Sequence, residues 1–502
     1  MIRSPITFRA TTFAFLLFLI LKTIYVGGSG IPDTDFFWHL AYGEWILRHH
    51  ALPAGDTFSW TFQGVPYQLT QWLGEVTIGL AYQVAGYDGT LGLSVILAGL
   101  TIFFAWRAAA HHVHTSVALT LVMMSNTIQI MLPARPQMFS FMLTAVTMWC
   151  LTMWDSTGRR RYLALLVPTM AVWPCLHGGF VVGLLLIGLY ITGKAWATGN
   201  RLLLSSRALI PPVSALLLAT MATGLNPYGY QVLVKVVEIG HLQSSNVIAE
   251  WQPINLTSGL GWCYLLFAMP LVGFLIMGMR IRREWIPIAA FALIFGYLAN
   301  RQVAIAGAIC APILAMMIAD APDYASRLPT FRNPSRPMAF TVILASAVLA
   351  IVYQHQRPDL YSRMIAAVHP VAAADYVLRK KLGDRLYADT LEASYLIHRG
   401  IPVSIDGRMD LYGDKFFFDH YLTQHGGPGW AQYLAKLRPS AMLVRQETAI
   451  CQLVEASGLW KRVFEDDRYV VLAPADSQFP TVVAKPTTLL DGNVHFLRAY
   501  RP

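Results

Sequence analysis

The stretch "IPDTDFFWHLAYGEW", residues 31–45, follows directly on the first strongly apolar run of the chain. It sets Asp33, Asp35 and His39 among Phe36, Phe37, Trp38 and Trp45 where the chain would leave a membrane. Two carboxylates and an imidazole are costly at that depth unless water, a partner or a substrate attends to them. From Asp35 to Leu47 the apolar residues fall at 36, 37, 40, 41 and 47, with polar ones at 35 and 39. This pattern predicts a short helix lying on the membrane surface, its aromatics at headgroup depth. Asp35 and His39, four apart, share one face of it. Asp33 is a good N-cap, and Asp35 in the first turn complements the helix dipole. Capping accounts for one carboxylate but not for the pair together with His39.

The rest of the chain explains why a membrane is invoked. Its 502 residues are 55% hydrophobic and only 13% charged, with a mean hydropathy of +0.47. Those values exclude an ordinary soluble protein and indicate a polytopic α-helical membrane protein. Eleven apolar runs fall at roughly 10–28, 90–107, 116–132, 137–154, 162–176, 179–197, 208–224, 258–279, 285–299, 302–319 and 338–353, each near the length of a span. The first reads as a retained signal-anchor helix. The net charge of +10 resides in short clusters, "GRRR" (158–161), "RIRR" (280–283) and "SRLPTFRNPSR" (326–336). With the N-terminus in the cytoplasm, eleven alternating spans put all three clusters inside. The bases form no stripe interleaved with aromatics, so nucleic acid is not an expected partner. The five cysteines, at 150, 175, 263, 310 and 451, show no paired or zinc-type spacing.

The same alternation gathers the unusual polar motifs on the outer side. "PARPQ" (133–137), "LHGG" (176–179), "NPYGY" (226–230), "IAEWQP" (248–253) and "ANRQ" (299–302) emerge there with Asp33 and Asp35. The first outer loop, 30–75, continues as "AGDTFSWTFQGVPYQLTQWLGEV" (54–76), read as a turn, a short strand pair and the start of a second interfacial helix. Asp56, Gln71 and Glu75 are placed to reach the same cavity, and Trp60 and Trp72 read as interfacial anchors. The membrane domain is assigned to 1–353. From 354 to 502 the composition shifts to short β-rich runs alternating with helices, which predicts a mainly parallel α/β domain ending in a hairpin across Asp466–Asp467. After eleven spans this domain lies in the periplasm.

These motifs carry a family resemblance. "DTDFFWHLAYGEWILRHHALPAGDTFSWTFQGVPYQLTQWLGE" is similar to the first periplasmic loop of a bacterial branch of the GT-C glycosyltransferases. "ARPQMFSF", "WPCLHGGFVVGL", "NPYGY", "EWQP", "NRQVAI" and "SIDGRMDLYG" extend the resemblance over nearly the whole chain. Thr34 and Phe37 stand where that branch usually has proline and tryptophan, a change in loop rigidity more than in chemistry.

The resemblance implies a bacterial inner-membrane enzyme that uses a polyprenyl-phosphate-linked sugar and a glycan, lipid or protein acceptor. A first-loop aspartate would act as general base on the acceptor hydroxyl, with an oxocarbenium-like transition state and an anionic leaving phosphate. Asp35 is the expected base because His39 is helically adjacent. Asp33 orients the acceptor, binds a metal or exchanges roles with Asp35. Arg135 and Arg301, at outer ends of spans, are candidates for the phosphate, with interfacial snorkelling as the plain alternative. His177, beside Gly178–Gly179, is a second-tier candidate, and Glu250 is expected to recognise acceptor hydroxyls. In "SIDGRMDLYGD", Arg408 between Asp406 and Asp410 reads as an internal salt-bridge network. Two aspartates one residue apart suit Mg²⁺ or Mn²⁺ with waters completing the shell. The competing readings are a transporter or flippase, or a ligase or polymerase, of polyprenyl-linked glycans; the one-sided gathering of polar residues favours the transferase.

Overall fold

The computed structural model describes residues 17–25, 33–198, 206–321, 360–479 and 481–483. Up to residue 321 the described residues are mainly helical. Within the described residues four helices are long and apolar enough to cross a membrane: Trp72–Ala109, Phe180–Thr198, Gly259–Ile276 and Asn300–Ala319. Thr115–Ser125, Arg161–Leu176 and Ala208–Ala222 are shorter apolar helices. Of the eleven expected runs, 338–353 lies outside the described residues, as do the basic cluster 326–336 and the ends of 10–28.

Small residues let these helices close on one another. Val303–Ala319 is buried along its length, and a Cβ on Gly307 would fall 1.9 Å from the Ser125 carbonyl oxygen. Near the start of the chain, α1 (Phe36–His49) crosses α2 (Trp72–Ala109) with backbones touching: a Cβ on Gly43 would stand 2.2 Å from Glu75 O. The expected second interfacial helix and the run 90–107 prove to be one element, α2, broken at Ala85–Gly86, where Gly86 takes φ +58°.

The helix predicted after Asp35 is present, but its aromatics pack against protein. Phe36, Phe37, Trp38 and Tyr42 are buried beneath the carboxyl-terminal tail. Phe37 meets Tyr395 edge-on at 5.1 Å and His369 at 4.9 Å, and the Trp38 amide donates to Ser394 Oγ at 2.8 Å. Periodicity marks a face that must be covered, and here a folded tail covers it rather than lipid. Each such side chain contributes roughly 1.5–3 kcal/mol on burial, so α1 joins the tail firmly to the helices.

The tail builds a five-stranded sheet in the order β1-β2-β4-β3-β5 (β1 Leu386–Ala388, β2 Ala441–Arg445, β3 Trp460–Glu465, β4 Tyr469–Pro474, β5 Val482–Val483). Only β1–β2 and β3–β5 are parallel, while β4 runs antiparallel to both its neighbours, so the sheet is mixed rather than mainly parallel. The hairpin across Asp466–Asp467 joins β3 to β4. Ahead of Asp406, Val403 bridges Leu386 on one side and Ser59 of the first loop on the other. The first loop thus extends the sheet edge, and Trp60 is a docking residue rather than a membrane anchor: its indole N–H donates to Leu386 O at 2.9 Å, under the Arg385 guanidinium.

Candidate active site

Three separate segments bring four charged side chains to one point. Asp33 and Asp35 enter from the start of α1, Glu250 from the short turn Ala249–Trp251, and Arg135 from the loop held between Pro133 and Pro136, ahead of α3 (Gln137–Thr157). Arg135 stands at the centre. Its Nε lies 3.0 Å from Asp33 Oδ2, Nη2 2.5 Å from Asp35 Oδ2, and Nη1 2.6 Å from Glu250 Oε1. Exposure rises across the cluster, from 6% for the Asp33 side chain to 29% for Asp35 and 41% for Glu250. Asp33 does not cap the helix as expected. Its Oδ1 accepts the Asp35 amide at 2.9 Å, an Asx turn that fixes the residue carrying the more open carboxylate.

The electrostatics follow that gradient. Burial pushes Asp33 up to about 7 against the pull of Arg135, and burial likewise raises Asp35, opposed by Arg135 and reinforced by Glu250. Arg135 lowers Glu250. Two of the three carboxylates are therefore easier to protonate than a free aspartate, and the third is harder to protonate than a free glutamate.

His39 is not turned towards Asp35. Its Nδ1 lies 2.9 and 3.1 Å from the two Glu75 oxygens, and Glu75 Oε1 also accepts Gln71 Nε2 at 3.0 Å. Helical spacing put His39 on the right face, but the α1–α2 crossing supplies a nearer carboxylate. Burial keeps this imidazole well below its ordinary value, so it is neutral at pH 7. Asp56 leaves the expected cavity for Arg408 of the tail, 2.6 Å away.

His177 sits just past α4 (Leu166–Leu176), where its Nδ1 accepts the Gly179 amide at 3.0 Å and lies 2.8 Å from Ser140 Oγ. Ser140 Oγ in turn accepts the Trp173 indole at 2.8 Å. Burial pushes His177 down to about 3, so it is a neutral fastener between α3 and α4. Arg301 lies over the Trp251 ring at 4.4 Å, next to Glu250, and makes no carboxylate ion pair among the described residues.

Two contributors went unread in the sequence. The Trp38 indole Nε1 is buried beside Asp35, and its hydrogen bonding towards that carboxyl pulls the pKa downward. It is a donor kept dry next to the carboxylates. Gly407 of the tail packs so closely that a Cβ there would stand 2.6 Å from Asp35 Oδ1 and 3.3 Å from Trp38 Nε1. The Asp-Gly pair reads only as a turn, and nothing local marks which surface the turn will meet.

As arranged, Asp33 and Asp35 do not form a Mg²⁺ or Mn²⁺ site, because a guanidinium bridges them. Among the described residues no group of three or more His, Cys, Asp or Glu could hold a metal ion.

No protein-family model matches the chain, and no curated protein sequence does. Solved structures do. The oligosaccharyltransferase of Archaeoglobus fulgidus, tethered to an acceptor peptide containing the NVT sequon, aligns over 86% of this chain and 69% of its own, with a TM-score of 0.53 at 12% identity. The mycobacterial arabinofuranosyltransferase AftD aligns over 93% of this chain but 40% of its own, with a TM-score of 0.53 at 13% identity. ArnT from Cupriavidus metallidurans, in its apo state, aligns over 92% of this chain and 98% of its own, with a TM-score of 0.50 at 15% identity. At such identities the likeness is one of fold alone, shared with these solved enzymes.

Proposed function

We propose that the chain is a membrane glycosyltransferase that moves a sugar from a polyprenyl phosphate to an acceptor hydroxyl on a glycan, lipid or protein. The observation that carries this is the convergence of two first-loop aspartates with Glu250 on one guanidinium, in a chain of GT-C fold. The names of the solved neighbours, an oligosaccharyltransferase and an arabinofuranosyltransferase, support the reaction class. The reading includes eleven spans in a bacterial inner membrane, a cytoplasmic N-terminus and a periplasmic tail.

Asp35 is the base. It is more open than Asp33, and Asp33 already commits one oxygen to the Asp35 amide. The acceptor atom attacks the anomeric carbon from the face opposite the phosphate, the sugar–phosphate C–O bond breaks, and the acceptor proton passes to the Asp35 carboxylate. The configuration at that carbon inverts. Burial raises the Asp35 pKa, which favours its taking the proton. Polyprenyl phosphate leaves with its charge against Arg301, since Arg135 is committed to three carboxylates. Glu250, the most exposed of the three, accepts from acceptor hydroxyls, and the Trp38 indole is a further donor to substrate oxygens. His39, Glu75 and His177 hold the frame.

The test is turnover of the purified protein, in detergent, with a polyprenyl-phosphate sugar and a mixed acceptor extract. Free polyprenyl phosphate and an extended acceptor should appear together and vanish in Asp35→Asn. Movement of the donor across vesicles without bond cleavage would instead support a transporter.

A further inference from the structure

The tail does more than cover α1. Its turn Asp406–Gly407–Arg408 reaches the catalytic helix at two points. At the first, Gly407 lies against Asp35: a methyl group there would be 2.6 Å from Oδ1, well inside van der Waals contact. At the second, Arg408 is fully buried and forks onto Asp406, with Nη2–Oδ2 at 2.5 Å and Nε–Oδ1 at 2.8 Å. It also pairs with Asp56 at 2.6 Å and donates to the Tyr42 hydroxyl. Tyr42 lies two turns after Asp35 on α1, and its ring, with those of Phe58 and Tyr67, surrounds the guanidinium. Tyr412 closes the group by donating to Asp406 Oδ2 at 2.7 Å.

The same segment grips the loop leading to Glu250. Asp414 accepts the amides of Gln243 and Ser244, each at 2.8 Å, and Asp410 pairs with Lys235 at 3.1 Å. One short stretch of tail therefore fixes both α1, which carries Asp33 and Asp35, and the loop that carries Glu250.

We infer that the Asp406–Gly407–Arg408 turn is the positioning element for the Asp35 carboxylate, with Gly407 as its backstop and Arg408 as the anchor. Arg135 draws one Asp35 oxygen to itself, and the glycine backbone stops the other from rotating away. A charge pulls and a wall resists, so the carboxylate has one orientation in which to meet an acceptor proton. A misplacement of about 1 Å costs on the order of a hundredfold in rate. A methyl group at 407 meets Asp35 and Trp38 first and imposes a shift of that kind on the carboxylate.

The inference rests on the glycosyltransfer reading for its rate arm and on the fold alone for its contact arm. The experiment uses the full chain and compares wild type with Gly407→Ala. Four quantities are measured: kcat and KM with a polyprenyl-phosphate sugar across pH, thermal unfolding, and amide hydrogen exchange over residues 36–42. Gly407→Ala should lower kcat by about a hundredfold, leave KM for the donor within about twofold, displace the acid limb of the pH profile and speed exchange over 36–42, with little change in melting temperature. A wild-type kcat and pH profile in Gly407→Ala would overturn the positioning role. Unchanged exchange would overturn the contact itself. If wild type transfers no sugar while exchange still responds to Gly407→Ala, the transfer reading falls and the contact stands.

Discussion

Arg408 of the tail and Asp56 of the first loop form an ion pair of 2.6 Å that solvent does not reach from either side. Asp56 also caps its own turn, accepting the Phe58 and Ser59 amides at 3.2 and 2.9 Å and the Ser59 hydroxyl at 2.5 Å. The carboxylate is thus satisfied both within the loop and by the tail. Arg408 keeps its fork onto Asp406 when Asp56 is removed, so the loss stays below the roughly 3–5 kcal/mol of a wholly uncompensated buried charge, but one buried contact of the guanidinium is left unmade. Asp56→Ala should lower the melting temperature clearly and make the 54–66 loop sensitive to protease, whereas substitutions at the exposed Lys415–Asp419 pair should change neither. An unchanged melting temperature for Asp56→Ala would show that the staple contributes nothing.

Asp33 links stability to pH. Burial holds its carboxyl in the fold at about 7, above the ordinary aspartate value of 3.8. The folded state binds the proton more tightly, so the stabilisation is fully present below about pH 4 and is lost as pH rises through 7. Asp33→Asn removes this titration. Wild type should lose more melting temperature between pH 5 and pH 8 than the Asp33→Asn variant does, and parallel curves would remove Asp33 as the cause.

Glu250 tunes Asp35 through the shared guanidinium. Its charge raises the Asp35 pKa, while Arg135 lowers it. The base must be ionised to act, so the rate climbs with pH along an acid limb set by Asp35. Glu250→Gln deletes the raising charge and should move that limb to lower pH, and Arg135→Gln should move it to higher pH. The two variants must shift in opposite directions. A common direction would assign the limb to another group.

The charged cluster was legible because its members stand next to apolar runs, and the expected alternation groups Asp35, Arg135, Glu250 and Arg301 without knowledge of packing. What covers a face was not. Phe36, Phe37 and Trp38 read as lipid-facing because an apolar stripe looks the same under lipid and under a folded tail. Asp56 read as part of the catalytic cavity because nothing in its neighbourhood names Arg408, more than three hundred residues away, as its partner. The mixed sheet was missed for a related reason. Alternating helices and strands favour parallel order, but the tight β3–β4 hairpin inserts β4 antiparallel beside β2.

Arg301 is the remaining test of where the leaving group sits. It lies over Trp251 at 4.4 Å and beside Glu250, yet makes no ion pair with a carboxylate among the described residues. Its charge is held in place by an aromatic face and available to an anion. A hydrogen bond to a charged group contributes about 1.5–3 kcal/mol, equivalent to roughly ten- to a hundredfold or somewhat more. Arg301→Ala should therefore raise KM for the polyprenyl-phosphate donor, or lower kcat, by that factor while leaving KM for the acceptor within about twofold. Arg301→Lys should recover part of the loss, since a point charge still meets phosphate but lacks the planar fork. Inhibition by free polyprenyl phosphate should weaken in step. Equal losses towards donor and acceptor would mean that Arg301 supports the loop of Trp251 rather than the phosphate, and the leaving group would then need a different cation.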